Sequence, residues 1–219
     1  MFSFLFIKGV NLLIMPKLSS QQKEAIRMEI LEAAKAVFIE KGYEGASMKE
    51  IVECSGRSFG GVYLYYSNKE DVFLALLRSQ FQEMEANTAV NQTVSAWELL
   101  VVFLNEQERR ARQVEGGLAP CMFEYFIVGR RDEKRRVLIE ERRRAVHNHL
   151  LSLIQRGIQQ NEFQPSKPIE TIVNWLISFL DGVYLESIIN GWDNIQLADQ
   201  FELLQIAIRA VLIPTSLED

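Results

Sequence analysis

A chain of 219 residues, 48% hydrophobic and 24% charged, has the make-up of a globular protein with a sizeable core. Its net charge of −5 excludes a protein that coats nucleic acid through general basicity, so any DNA contact has to come from a local patch. Two cysteines, Cys54 and Cys121, form no CxxC and fit no metal spacing, which points to a reduced, cytoplasmic setting and gives no metal or other cofactor to expect.

Residues 1–15 are apolar, but Lys8 and Asn11 interrupt them well short of the roughly 20 apolar residues a membrane span needs. Neither the leading charge nor the cleavage site of a signal peptide is present. We expect a non-native or disordered leader, translation starting at Met15, and no membrane partner. Pro16 to Gln22 reads as a polar arm. Ile26, Ile30, Ala33, Ala34, Val37 and Phe38 then recur at helical spacing until Gly42 ends the helix.

Ser47 and Glu50 have the spacing of a capping box, in which each side chain satisfies a free N–H of the other, so a helix starts at Ser47. Met48, Ile51 and Val52 form its apolar face, Gly56 supplies the left-handed residue that ends it, and Cys54 is expected half-buried. Ser58 caps a following helix of about two turns with Val62, Tyr63 and Tyr66 on one side. Ser67 and Glu70 repeat the capping-box spacing, so a third helix is expected from there through Val72, Phe73, Leu76, Leu77 and Phe81 without a break before Thr88. The expected core is Ile30, Ala34, Phe38, Met48, Ile51, Val52, Val62 and Tyr63.

Helix, glycine turn, helix is the arrangement that lays a second helix in the major groove of DNA. The segment from Ser47 to Val72 resembles the DNA-binding domain of the TetR family of bacterial transcription regulators. It matches the family pattern at Ser47, Glu50, Ile51, Ser55, Gly56, Ser58, Gly60, Tyr63, Tyr65, Lys69, Glu70 and Val72. It departs with Arg57 at an apolar turn position, Phe59 where a polar or basic residue is common, and Tyr66 in place of Phe. The resemblance implies that Ser47 and Lys69 hold phosphates and that Tyr63 and Tyr65 reach the DNA backbone. Ser58, Phe59, Gly60 and Gly61 would face the groove, with Arg57 on a phosphate or base, and Arg27 or Lys17 would touch the adjacent backbone. The plainer readings stand beside these: Tyr63 as core, Ser47 and Ser58 as helix caps. From Lys17 to Arg78 there are nine basic and nine acidic residues, so the excess acid lies later in the chain.

Beyond residue 86 the chain reads as helices alone. Trp97, Leu100, Val101 and Leu104 recur helically, Gly116 and Gly117 break the pattern, Leu118 to Val128 is apolar, and a long run from Arg130 reaches Ile154. Asn161 to Pro168 is a loop, and no run alternates with period two. The expected fold is all-α: a three-helix helix-turn-helix domain over 16–72 and a larger helical effector-binding and dimerisation domain over 73–219.

In the last two helices apolar residues cover nearly every direction, too many for one buried stripe, so a second copy is expected against them. The family resemblance likewise implies dimerisation through these helices. The expected interface is Ile172, Leu176, Leu180, Val183, Phe201, Leu204, Ile208 and Leu212. Met84, Trp97, Phe103, Met122, Phe123, Phe126, Trp175 and Phe179 are candidate lining for an apolar effector pocket, although such stripes are more often ordinary core. The resemblance implies that a small apolar effector there shifts the first domain and releases the dimer from a double-stranded operator, with the Val72 to Phe81 helix as lever.

His147 and His149 have no partner at metal spacing, and the arginine runs between 130 and 144 alternate with acids as a solvated face does. No catalytic constellation emerges, so no enzyme is expected. Two readings follow: a ligand-responsive homodimeric repressor, or a helical small-molecule-binding or interaction protein with little sequence-specific DNA binding, to which Phe59 and the double glycine point.

Overall fold

The computed structural model describes residues 18–88 and 94–213, with backbone alone for 80–88, 134 and 138. The leader over 1–15 and the side chains of Phe81 and Met84 lie outside the described residues. Those described form α1 (Ser20–Gly45), α2 (Met48–Ser55), α3 (Phe59–Tyr63), α4 (Lys69–Thr88), α5 (Ala96–Arg112), α6 (Ala119–Gly129), α7 (Glu133–Gln159), α8 (Ile169–Asn190) and α9 (Leu197–Leu212). A single 3-10 turn, Val114–Gly116, joins α5 to α6, and no strand occurs among these residues.

α1 starts earlier than expected. The Ser19 side chain accepts from Gln22 N at 3.1 Å while Gln22 accepts from Ser19 N at 2.9 Å, so the last residues of the supposed arm, 20–22, belong to the helix's first turn, and Pro16 and Lys17 lie outside the described residues. The cause is a capping box that the sequence spells as Ser-x-x-Gln. Gly42, at φ 73°, breaks the helix, and the turn over 43–46 leads to α2. Both expected devices of α2 are present: the Ser47–Glu50 capping box and left-handed Gly56, at φ 63°.

α3 is a single turn capped by Ser58, whose side chain accepts from Gly61 N at 3.2 Å. Val62 and Tyr66 enter the core, but Tyr63 points out, 47% exposed, because one turn of helix cannot turn 62, 63 and 66 all inward. The Ser67–Glu70 box does not form. α4 begins at Lys69, so Asn68 holds the capping position: its Oδ1 accepts from Asp71 N at 2.9 Å, and the Asp71 carboxylate takes Ser67 N at 3.1 Å. Glu70 is thereby released to face inward. Cys54 is exposed, not half-buried.

Two hydrophobic clusters result. The first packs α1 to α4 and takes in Cys121 and Tyr125 of α6 with Leu118 just before it, so it runs past residue 72. The second packs α5, α7, α8 and α9. α8 is long and apolar enough to cross a membrane by length and composition, yet six of its residues are buried in the fold. The eight residues expected at a subunit interface all lie in this second core, none more than 5% exposed. They form the most apolar stripe of each helix, and the chain's own core claims that stripe first. A different stripe is left outside. On α8 it runs through Trp175, Ser178, Gly182 and Ile189, with Leu185 half-buried, at alternating spacings of three and four. On α9 it holds Leu203, Ile206 and Ala210, with the first two 65% and 61% exposed.

Gly42 serves two purposes, since a Cβ there would sit 2.8 Å from Glu124 Oε2 as well as on a left-handed backbone. Gly42→Ala should destabilise the protein by about 1–3 kcal/mol, read as a lowered urea midpoint at an unchanged slope.

Candidate nucleic-acid interface

The short α3 presents an apolar tip. Phe59 and Tyr63 are 53% and 47% exposed, and their rings stack with centroids 6.4 Å apart and planes 15° from parallel. A Cβ on Gly60 would meet nothing within 4 Å, so the backbone between the two rings is open to a close-approaching partner. Leu64, which the sequence reading passed over, is 78% exposed beside them. Its exposure follows from α3 ending after one turn, which periodicity does not reveal. Ser58, Phe59, Gly60 and Tyr63 therefore share one exposed surface, with Gly61 partly covered by Ser58.

The other candidates are tied into the fold. The Ser47 hydroxyl donates to Glu50 Oε2 at 2.7 Å, and the bond from Lys41, with help from Ser47, holds the Glu50 carboxyl below its ordinary range. Arg57 pairs with Glu29 of α1. Tyr65 is half-buried with the Arg27 guanidinium 5.9 Å over its ring, and its hydroxyl is buried without a hydrogen-bond partner.

Lys69 departs furthest from expectation. Its Nζ donates to three carbonyls, Tyr43 O at 2.7 Å, Ala46 O at 3.0 Å and Glu44 O at 3.1 Å, and lies 4.7 Å over the Tyr43 ring. An ammonium has three donors, so all are used inside the protein. The same turn is held from its other side by α6: Glu124 Oε2 accepts from Tyr43 N at 2.7 Å and Oε1 from Glu44 N at 3.1 Å.

A second set of contacts extends this junction. Tyr125 donates to Glu70 Oε1 at 2.7 Å. Arg135 of α7 lies 5.1 Å over the Tyr43 ring and 4.7 Å over that of Tyr125, and pairs with Glu70 at 3.3 Å and Glu44 at 3.4 Å. Burial pushes the Tyr43 phenol up to about 12, and burial together with the Glu70 bond pushes Tyr125 up further, so both rings stay neutral donors. Cys121 donates to Phe38 O at 2.7 Å, and burial raises its thiol to about 11, which makes it a packing group and not a nucleophile.

Residues 30–76, which hold the one-turn α3 and its capped predecessor, match the family model of bacterial regulatory proteins of the tetR family, and 99–198 match that of the tetracyclin repressor-like C-terminal domain. The chain is 34% identical over 198 residues to the HTH-type transcriptional regulator YfiR of Bacillus subtilis, covering 90% of this chain and 97% of that one. It belongs to the TetR family. Over 196 residues it is 27% identical to the HTH-type transcriptional repressor AcnR of Corynebacterium diphtheriae, covering 90% of this chain and 98% of the relative. A TetR regulator from Haloarcula marismortui shares the fold with a TM-score of 0.74 at 19% identity, over 86% of this chain and 99% of its own. The regulator FadR of Bacillus subtilis, solved in complex with stearoyl-CoA, does so with a TM-score of 0.64 at 22% identity, over 81% and 96%. The protein is thus a helix-turn-helix, DNA-binding transcriptional regulator of the TetR family.

In this TetR-family regulator the expected pocket residues whose side chains are described divide between the two cores: Trp97, Phe103 and Phe179 pack on the second. Met122 and Phe126 pack on the first core, Trp97 lies under Arg209 at 5.3 Å, Phe179 stands edge-on to Phe201 at 5.7 Å, and Trp175 is 38% exposed. Phe123 is half-buried on α6. Of the seven whose side chains are described, Phe103 lines the cleft found between α5, α7 and α8, a space of about 340 Å³. His147 bonds Glu170 Oε2 at 2.7 Å, and no group of three or more His, Cys, Asp or Glu able to hold a metal occurs among the described residues.

Lys69→Met should lower stability by about 1–3 kcal/mol, because three carbonyls lose a charged donor. Among molecules still folded, the dependence of log K for DNA on log salt should keep its slope, whereas loss of a true phosphate ligand would reduce that slope by roughly 0.9.

Proposed function

We propose that this regulator is a cytoplasmic homodimeric repressor, which places α3 of each protomer in successive major grooves of a palindromic operator and leaves it when a small molecule occupies the helical body. Residues 16–72 act as the reader and 73–219 as the sensor and dimerisation unit. The observation that carries the reading is the exposed Phe59–Tyr63 stack on a one-turn helix, with Leu64 exposed beside it and Arg57 and Lys69 tied into the fold. Such a tip has few hydrogen-bonding groups for base edges, so it reads through thymine methyls and groove shape while the backbone N–H groups at α3's start meet phosphate. AcnR's name as a repressor supports the sign of regulation, and stearoyl-CoA in FadR supports an effector in the body.

The dimer forms through the outer stripes of α8 and α9, not through the stripes first expected. Trp175 shares its α8 stripe with the small residues Ser178 and Gly182, which let two helices approach closely, and Leu203 and Ile206 stand on the outer stripe of α9. Two such faces brought together make a four-helix contact with two-fold symmetry.

Mobility shift on the protein's own upstream DNA tests the first claim. Nanomolar binding of one palindromic site is expected, and Phe59→Ala should change the preferred base at one symmetric position; binding that is salt-sensitive and blind to sequence would favour the non-specific alternative. Leu203→Glu with Ile206→Glu should give a folded monomer by light scattering that has lost operator affinity. A doubly substituted protein that stays dimeric would exclude this face.

A further inference from the structure

The cleft between α5, α7 and α8 has walls of two kinds. Phe103, Ile139 and Ile177 make an apolar side. Arg142, Arg143, Asp181 and Tyr184 make a polar one. The charges do not balance. Arg142 Nη2 donates to Asp181 Oδ1 at 3.1 Å, but Arg143 Nη2 donates to a neutral acceptor, Asn174 Oδ1, at 3.1 Å. Near Tyr184, Glu106 is shared between Arg109 and Arg110 at 2.7 Å each, and the Arg109 bond leads in holding its carboxyl down at about 2. Burial pushes the Tyr184 phenol up to about 12, so it adds no negative charge; its hydroxyl donates to Gln107 Oε1 at 3.2 Å. The cleft itself thus holds two guanidinium groups, Arg142 and Arg143, against one carboxylate, Asp181, with Arg109 and Arg110 sharing Glu106 near Tyr184.

Asp181 has the position of a placeholder. Its side chain is 42% exposed, and it meets a single guanidinium nitrogen where a free carboxylate could engage two. A purely apolar ligand would leave Arg143 with only an amide, and a cation would enter a repulsive field. We propose that the cleft takes a small amphiphilic anion, a carboxylate or phosphate on an apolar body, whose acidic group takes Arg143 and displaces Asp181 from Arg142. This rests on the ligand-responsive reading above and names its effector class. The space suits a body of about ten carbons, at the small end of ligand pockets. Displacement would also be felt outside the cleft, because the Arg142 guanidinium lies 5.4 Å over the Phe126 ring of α6, next to the Tyr125 and Glu124 that hold the end of α1.

The test uses the full chain with decanoate, decyl phosphate, decan-1-ol and decylammonium, by titration calorimetry for binding and by fluorescence anisotropy for operator release. Both anions should bind at least about tenfold tighter than the alcohol or the amine, as charge-assisted bonds require. A preference for one anion tells which acid the site is built for. Arg143→Gln should remove that preference and leave decan-1-ol unchanged. Asp181→Asn, of nearly equal volume, should tighten anion binding severalfold because the competing carboxylate is gone; melting curves check that both variants are folded. Equal binding of decan-1-ol, weaker anion binding by Asp181→Asn, or no binding of any probe would overturn the proposal. Anion binding in this pattern with the operator still held would sustain the site and sink the ligand-responsive reading. Operator release by decan-1-ol alone would do the reverse.

Discussion

The four-residue turn after Gly42 is held by opposite charges on its two sides, and the placement of the DNA-reading helices depends on it. Its N–H groups at Tyr43 and Glu44 point at the Glu124 carboxylate of α6, and its carbonyls at Tyr43, Glu44 and Ala46 point at the Lys69 ammonium of α4. A turn carrying so many unpaired backbone groups next to a core would be costly to bury without such partners. With them it becomes the most constrained piece of the first unit, and α2 starts directly from its end, at Met48. α3 then follows through left-handed Gly56 and the Ser58 cap. The reading tip is thereby referenced to α6, a helix of the body, and not only to its own small core.

Arg135 adds the long-range link. It sits between the Tyr43 and Tyr125 rings and two acids from α1 and α4, and four residues on along α7 comes Ile139, which lines the cleft. Residues four and seven apart share a helix face, so Arg135, Ile139 and Arg142 form one row, about 10 Å from end to end. The α4 helix, expected from sequence to be the lever, is continuous as anticipated, but the contacts that join body to reader run through α6 and α7 as well. A ligand in the cleft acts on this row only by the difference in its affinity for the two arrangements.

Much of this was legible in the residues, and the remainder was hidden for identifiable reasons. Ser47 with Glu50, Gly56 and Ser58 are local signals whose partners lie within four residues, so the spacing alone fixes α2 and the start of α3. Ser67 was misleading because Asn68 is an equally good cap one residue later and Asp71 supports it. Lys69 could not be read at all: its partners lie 23 to 26 residues back, and a lysine at a helix start looks the same whether it faces a phosphate or three carbonyls. The two-sided character of α8 and α9 was plain, yet periodicity does not say which side belongs to the chain itself. The stripe with Leu176 and Leu180 is the richer one and went to the core, leaving outside the stripe broken by Ser178 and Gly182. The lining of the cleft, which takes Phe103 from the expected set, was hard to read for a related cause, since aromatic residues mark burial in general and a cleft shows itself by the polar groups that converge on it.

An apolar, weakly charged reading tip also bears on how such a protein would be switched. Each copy of α3 contributes Phe59, Tyr63 and Leu64 but little charge, so a single reader gains little of the counterion release that supports most DNA binding. In the proposed dimer, operator affinity then comes chiefly from engaging two half-sites at once, and that advantage disappears when the two tips no longer match the spacing of the grooves. Allosteric coupling of about 1–3 kcal/mol at each of two junctions would sum to about 2–6 kcal/mol, a loss of about thirtyfold to twenty-thousandfold in affinity. The charge clamp on the turn after Gly42 does not need to break for this. In the proposed switch it needs only to be rigid, so that a small shift of α6 and α7 around an occupied cleft would be passed on to the tip.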